Sequence, residues 1–401
     1  MQKQIEVTFK IFTLLSFIVG LSFFSTKPAG GDEIMFINHL DKLFAQGWYA
    51  VVAQKSCPTL LFLCYPFRFI FNSFITLRIV NVLLFIGLLM YYFKYFRVTN
   101  KLFYYYFLFY SSTCWFLLAT NDVLFIVSLT LFFSEVYYTL LHKTNTRPNL
   151  MLSSLIIAIT TREMVVIYLP VIVFSLYLVH NYIFSKDKSV LSFWKSLVLL
   201  LVVLLLHLPS LQQNHTLSYD DKQAPKNGLS NWYQRQYLAQ LLVNKGKLEN
   251  HQHPSWEETD AYLKQHGLNS LPKSTFEGLF FDVKLTIKEF FKDFLDVSIQ
   301  SIRQTGLIVL IVMSLSLYIF KNRRIKQYYI PIILAVMVAV FSLIIISYVE
   351  TRWLVSVFIV AILYYAEFKN ENKIYNNLVT SNMLFTILIA FYGMYKMLFI
   401  N

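Results

Sequence analysis

The sequence predicts an all-α polytopic membrane protein with about eleven transmembrane helices, extracytoplasmic juxtamembrane helices and a small external cap. Three observations carry this expectation. Of 401 residues, 57% are hydrophobic and 18% aromatic while only 14% are charged, a balance that excludes a soluble globular domain. Apolar runs of about 18 residues recur along the chain, and stretches such as "FWKSLVLLLVVLLLHL" and "YYIPIILAVMVAVFSLIII" are apolar on every side. That pattern fits helices and excludes a barrel, whose strands would alternate. Third, short basic clusters and acid-bearing turns occupy alternate connections, as a positive-inside topology requires.

The first span, 11–25, follows Lys3 and Lys10 and has no convincing small-x-small cleavage site, so it reads as an uncleaved anchor. After it, "KPAGGDEIMFINHLDKLFAQGW" opens with Asp32 and Glu33 and places Phe36, Ile37, Leu40, Leu43, Phe44 and Trp48 on one helical face. Asn38, Asp41, Lys42 and Gln46 lie opposite, which predicts a helix along the membrane surface. The next stretch, "CPTLLFLCYPFRFIF", is broken by Pro58, Pro66 and Arg68 and reads as a second juxtamembrane or re-entrant helix. Spans are then expected at 78–96, 102–119, 123–141, 150–161, 164–184, 193–210, 304–320, 328–347, 353–368 and 379–398. The expected organisation is a transmembrane module over 1–210, an extracytoplasmic cap over 211–303 and a closing set of helices over 304–401.

With the amino terminus inside, Lys94, Arg97, Lys101, Lys143, Arg147, Lys186, Lys188, "KNRRIK", Lys369 and Lys373 fall on the cytoplasmic side. The outer side then receives Asp32 and Glu33, "ATND" with Asp122, "TTREM" with Arg162 and Glu163, and "YVETRW" with Glu350 and Arg352. The net charge of +13 belongs to this topology, because no basic helix or aromatic and basic sheet pattern points to nucleic acid. Cys57, Cys64 and Cys114 lack metal spacing. "HQHPSWEE", with His251, His253 and Glu257, reads as an exposed loop, and no metal or other cofactor is expected.

An acidic motif after a first helix, a "P-x-L-x-x-L" segment, "LRIVNVLLFIGLL", a second acid in "ATND" and a late arginine together resemble the integral-membrane glycosyltransferases of the GT-C superfamily. The resemblance is nearest, over about 26–184, to the protein-mannosyltransferase and lipid A aminoarabinose-transferase branch. "TREMVVIYLP" and "VETRWLVSVFIVAI" are also similar to motifs of dolichyl-phosphate-glucose glucosyltransferases. The resemblance implies transfer of a sugar from a polyprenyl-phosphate carrier to a glycan, lipid or protein acceptor at the extracytoplasmic face. That the external regions hold one glycosylation sequon, "NHT" at Asn214, points to a bacterial inner membrane.

Such a transfer needs a base for the acceptor proton, cations for the phosphate and a groove for the polyprenyl tail. Asp32 or Glu33 is the expected base, with Asp122 as a second external acid. Arg162 and Arg352 are the expected phosphate clamp, and Glu163, Glu350, Lys222 and Arg235 complete the charged residues expected around the substrates. Each has a plainer reading: Asp32 as a helix cap, Arg162 with Glu163 and Glu350 with Arg352 as interface ion pairs. Two rival functions fit the same layout, an O-antigen-type polymerase or ligase and a transporter or flippase for a lipid-linked sugar. The early acid weighs against the first, and the lack of matched halves with midplane charges against the second.

Overall fold

A computed structural model describes residues 2–96, 101–141, 147–181, 193–219, 228–318, 326–367 and 373–400. All secondary structure among the described residues is helical. The chain forms α1 (Gln2–Ser25), α2 (Asp32–Ala53), α3 (Pro58–Cys64), α4 (Ser73–Tyr91), α5 (Leu102–Ser111), α6 (Asp122–Leu141), α7 (Pro148–Thr161), α8 (Leu169–Val179), α9 (Trp194–Leu206) and α10 (Leu208–Asn214). There follow α11 (Trp232–Asn244), α12 (Trp256–His266), α13 (Thr275–Phe281), α14 (Val283–Thr305), α15 (Ile308–Leu315), α16 (Tyr329–Leu343), α17 (Val355–Glu367) and α18 (Lys373–Phe399). Two compact units emerge, one of Met1–Asp220, Ser301–Leu334 and Val355–Asn401, the other of Asp221–Gln300 and Ala335–Leu354.

Among the described residues, four helical segments are long and apolar enough to cross a membrane: Gln2–Ser25, Ser73–Phe96, Asp122–Leu141 and Asn377–Phe399. A fifth arises if α9 and α10, bent by 56°, are one broken span. Eleven were expected; within the described residues several of the other apolar runs fold as short or interrupted helices, and the expected spans 164–184, 304–320 and 353–368 extend partly outside the described residues. The run beginning at 102 stops at Ser111, after which Cys114 takes a left-handed φ of 51° and a 3₁₀ turn follows. The run from 163 begins as a 3₁₀ turn, Glu163–Tyr168, before α8 takes over with a proline in its first turn. At 15 residues, α16 reaches only about 22 Å.

In the first unit α6 is the central helix, packed on α4, α7, α8 and α17. Of its apolar window 89% is buried inside the molecule, against 22% for α1, so α6 meets protein where α1 meets its surroundings. α1 lies against α5 and α18. Gly20 permits the α5 approach, since a Cβ there would stand 2.2 Å from the Ser112 carbonyl oxygen. The surface helix forms as expected, burying Phe36, Leu40 and Leu43 over α3 and α4, while Phe44 stays exposed. Gly47, with φ 81° and ψ 169°, kinks it just before Trp48.

The second unit centres on Tyr233, Tyr237, Leu238, Leu263, Leu271 and Ile345. Both α11 and α12 begin with capping boxes, Asn231 with Gln234 and Ser255 with Glu258.

Candidate active site

The segment between α5 and α6 creates a demand for hydrogen bonds in the middle of the first unit. Leu118 is extended, at φ −62° and ψ 123°, the backbone then bends through Ala119 and Thr120 into Asp122, and Ala119 is fully buried. Buried backbone groups outside a helix must find partners elsewhere. They find them in side chains from separate helices. Glu33 of α2 accepts from the Ala119 N–H at 2.7 Å, and Asn81 of α4 donates through Nδ2 to the carbonyls of Leu118, at 2.5 Å, and Thr120, at 3.2 Å. Asn121 donates to the Thr161 carbonyl at 3.0 Å, and the Cys57 thiol reaches the same oxygen at 3.4 Å.

Asp122 and Arg162 meet here. The Arg162 guanidinium pairs with Asp122 Oδ1, and Thr120 Oγ1 donates to Asp122 Oδ2 at 3.0 Å. Both members are buried, so each neutralises a charge that would be costly alone. The adjacent-residue pair expected between Arg162 and Glu163 is therefore replaced by one spanning α6 and α7. Arg162, where α7 ends, is extended at φ −150°, and Glu163 is exposed. Glu163 instead lies near Tyr219, whose hydroxyl burial and this neighbouring charge push up to about 12.

The two acids of "DE" have separate fates. Glu33 is buried, and its carboxylate is shared between Ala119 N–H and the Gly30 N–H, at 3.1 Å, with Arg78 Nη2 3.9 Å away. Asp32 is half-buried and is the first helical residue, because Gly31, at φ 56°, takes the cap position. The reading of Asp32 as a cap is thus corrected by one residue. Arg78 holds the loop before it, donating to the carbonyls of Ser25 at 3.1 Å and Lys27 at 3.0 Å while its guanidinium lies 4.1 Å from the Phe74 ring centre. Beside it runs an apolar groove of about 280 Å³, lined by Phe74, Ile75, Arg78, Ile79 and Val82 among others.

The remaining expected site residues belong to the second unit. Glu350 Oε1 accepts from Arg352 Nη2 at 3.2 Å, and Glu350 Oε2 makes an ion-pair contact with Arg352 Nε. The ion-pair reading of these two is therefore present in the structure. Arg235 donates from Nε to the Pro254 carbonyl at 2.6 Å and lies over Trp256 at 4.9 Å, a role that shapes the turn before α12. Lys222 lies outside the described residues. Among the described residues no group of three or more His, Cys, Asp or Glu is placed to hold a metal ion.

Asn81, Thr120 and Asn121 join the junction without having been assigned roles from sequence. A polar amide in the apolar "LRIVNVLLFIGLL" was the available signal, since such a group inside a span is costly unless partnered. In comparisons with known proteins, no family model, curated protein or solved structure matches the chain.

Proposed function

We propose that the protein is a membrane glycosyltransferase that moves a sugar from a polyprenyl-phosphate donor to an extracytoplasmic acceptor, in a bacterial inner membrane. The observation that carries this reading is one connected set of contacts in the first unit. Glu33 joins the α2 start, which bears Asp32, to the bend leading into Asp122, and Asp122 holds Arg162. On its other side Glu33 approaches Arg78, which lines the apolar groove. A base, an oriented guanidinium and a lipid-facing slot are thereby linked through a single carboxylate.

In this scheme the Asp32 carboxylate takes the proton of the acceptor hydroxyl. The acceptor oxygen attacks the anomeric carbon, the bond from that carbon to the phosphate oxygen breaks, and configuration inverts in one displacement. Negative charge grows on the departing polyprenyl phosphate, where Arg162 offers planar paired donors. Asp122 orients that guanidinium and is not itself the base, because both of its oxygens already accept. The groove beside Arg78 receives part of the lipid tail.

The test uses purified full-length protein in nanodiscs with a panel of radiolabelled polyprenyl-phosphate sugars and an extract of envelope acceptors. At least one donor is consumed, and Asp32→Asn lowers turnover by about two to four orders of magnitude with melting and donor binding unchanged. A variant retaining more than about a tenth of turnover removes Asp32 as the base. A panel in which no donor binds removes the reading itself.

A further inference from the structure

α14 is amphipathic in the reverse sense to a helix packed in a water-soluble fold. Its buried side carries Thr286, Glu289, Asp293 and Val297. Its outward side carries Val283, Ile287, Phe291, Leu295 and Ile299, each between 48% and 61% exposed. At about 100° per residue these five fall within one half of the helix circumference. Lys284 and Lys288 are exposed in the same half. The acids of α14 do not share it: Glu289 and Asp293 point inward, and Asp296 stands about 140° from the centre of the apolar stripe. Directly before α14, α13 adds the exposed rings of Phe276, Phe280 and Phe281.

This orientation is held by polar bonds within the unit. Glu289 accepts from Gln240 Nε2 at 2.9 Å and Asn244 Nδ2 at 2.7 Å, both on α11, and from Lys292 at 3.3 Å. Rolling the helix to hide its apolar side would break the two bonds to α11. A soluble surface does not tolerate a contiguous patch of this kind, so something apolar covers it.

We infer that the α13–α14 face is a bilayer-inserting surface selective for anionic lipid. The apolar stripe sinks to the headgroup and acyl boundary, and the alkyl stems of Lys284 and Lys288 follow it while their ammonium groups reach lipid phosphates. Charge decides the occupant, because on α14 two lysines set among apolar side chains without an acid complement a phosphate plane, while the one acid of α13, exposed Glu277, accepts from the Lys273 N–H. Chain continuity agrees: two residues after Thr305 the chain enters apolar α15. This inference goes beyond the transferase reading and does not depend on it.

Full-length Phe291→Trp protein is reconstituted in vesicles of equal phosphatidylcholine and phosphatidylglycerol, with one lipid brominated in its acyl chains at a time. Fluorescence added over the unsubstituted protein is expected to fall at least twofold with either brominated lipid, and further when the brominated species is phosphatidylglycerol. Lys284→Gln with Lys288→Gln is expected to abolish that lipid preference and leave the quenching. Ile287→Trp repeats the measurement should Phe291→Trp not fold. Quenching by aqueous acrylamide but not by bromolipid would place the face in water and overturn the inference. Resistance to both would mean that a second copy or another protein covers it, which also overturns it. Equal quenching by the two brominated lipids with the lysines intact would overturn the selectivity.

Discussion

Asp32 and Glu33 are chemically near-identical neighbours, and the fold separates them by what each carboxylate touches. Glu33 accepts from two backbone N–H groups, those of Gly30 and Ala119. An amide at this position keeps only one accepting oxygen. Glu33→Gln should therefore leave a backbone donor unpaired and cost about 1–3 kcal/mol, seen as a lowered melting temperature. Asp32→Asn should melt like the unsubstituted protein. Equal melting of all three would show that the Glu33 latch contributes nothing. Arg162 follows the same logic. Removing its partner with Asp122→Asn leaves a buried guanidinium uncompensated, so expression and melting should fall together, at a cost of about 3–5 kcal/mol. A fully stable Asp122→Asn protein would mean that the pair carries no structural weight. Sequence placed these residues as candidates but not as partners. The Arg162 partner stands forty positions away, and nothing in "TTREM" reveals that α7 ends with an extended residue facing α6.

At the scale of the element, apolar periodicity located most helices but not their interruptions. The surface helix was legible because its apolar spacing is regular, and its buried residues include the expected Phe36, Leu40 and Leu43. The break at Cys114 was not, since a left-handed residue other than glycine leaves no mark in a run of aromatic side chains. In α14 the side carrying Glu289 and Asp293 packs, and the apolar residues stay outward. Asp293 follows from that packing. Burial first, and then the neighbouring Glu289 and Asp296, raise its carboxyl to about 7 against the opposing pull of Lys292. The sign follows from linkage. Between the ordinary aspartate range near 3.8 and about 7 the unfolded chain ionises while the folded form keeps its proton, so this group's contribution to stability falls as pH rises across that window. Asp293→Asn should remove that decline, raising the melting temperature at pH 8 relative to the unsubstituted protein and leaving it similar at pH 4. A variant equally or less stable at pH 8 would show that the carboxyl is not held protonated.

At the scale of the whole molecule, helical membrane character is legible from composition, whereas the number of crossings is not. Hydropathy counts apolar residues and is blind to whether they face lipid or protein. In α6 the apolar surface is consumed internally, and in α3, only 7 residues long, an apolar sequence is too short to cross. The sidedness proposed for the transferase nevertheless yields a direct test, because the loop before Asp32 and the turn after α10 must share one face, and the connection before α5 must lie on the other. Thr26, Thr216 and Lys101 are exposed positions in those three places. The native Cys57, Cys64 and Cys114 are at most 2% exposed, so introduced thiols can be read against a low background. Thr26→Cys and Thr216→Cys should react with an impermeant maleimide in intact cells, and Lys101→Cys only after permeabilisation. Labelling of Lys101→Cys alone in intact cells would invert the topology and place Asp32 and its junction in the cytoplasm. Labelling of Thr26→Cys without Thr216→Cys would show an odd number of crossings lost or gained between them, and the bent α9–α10 pair, with its 56° break, would be the first place to seek it.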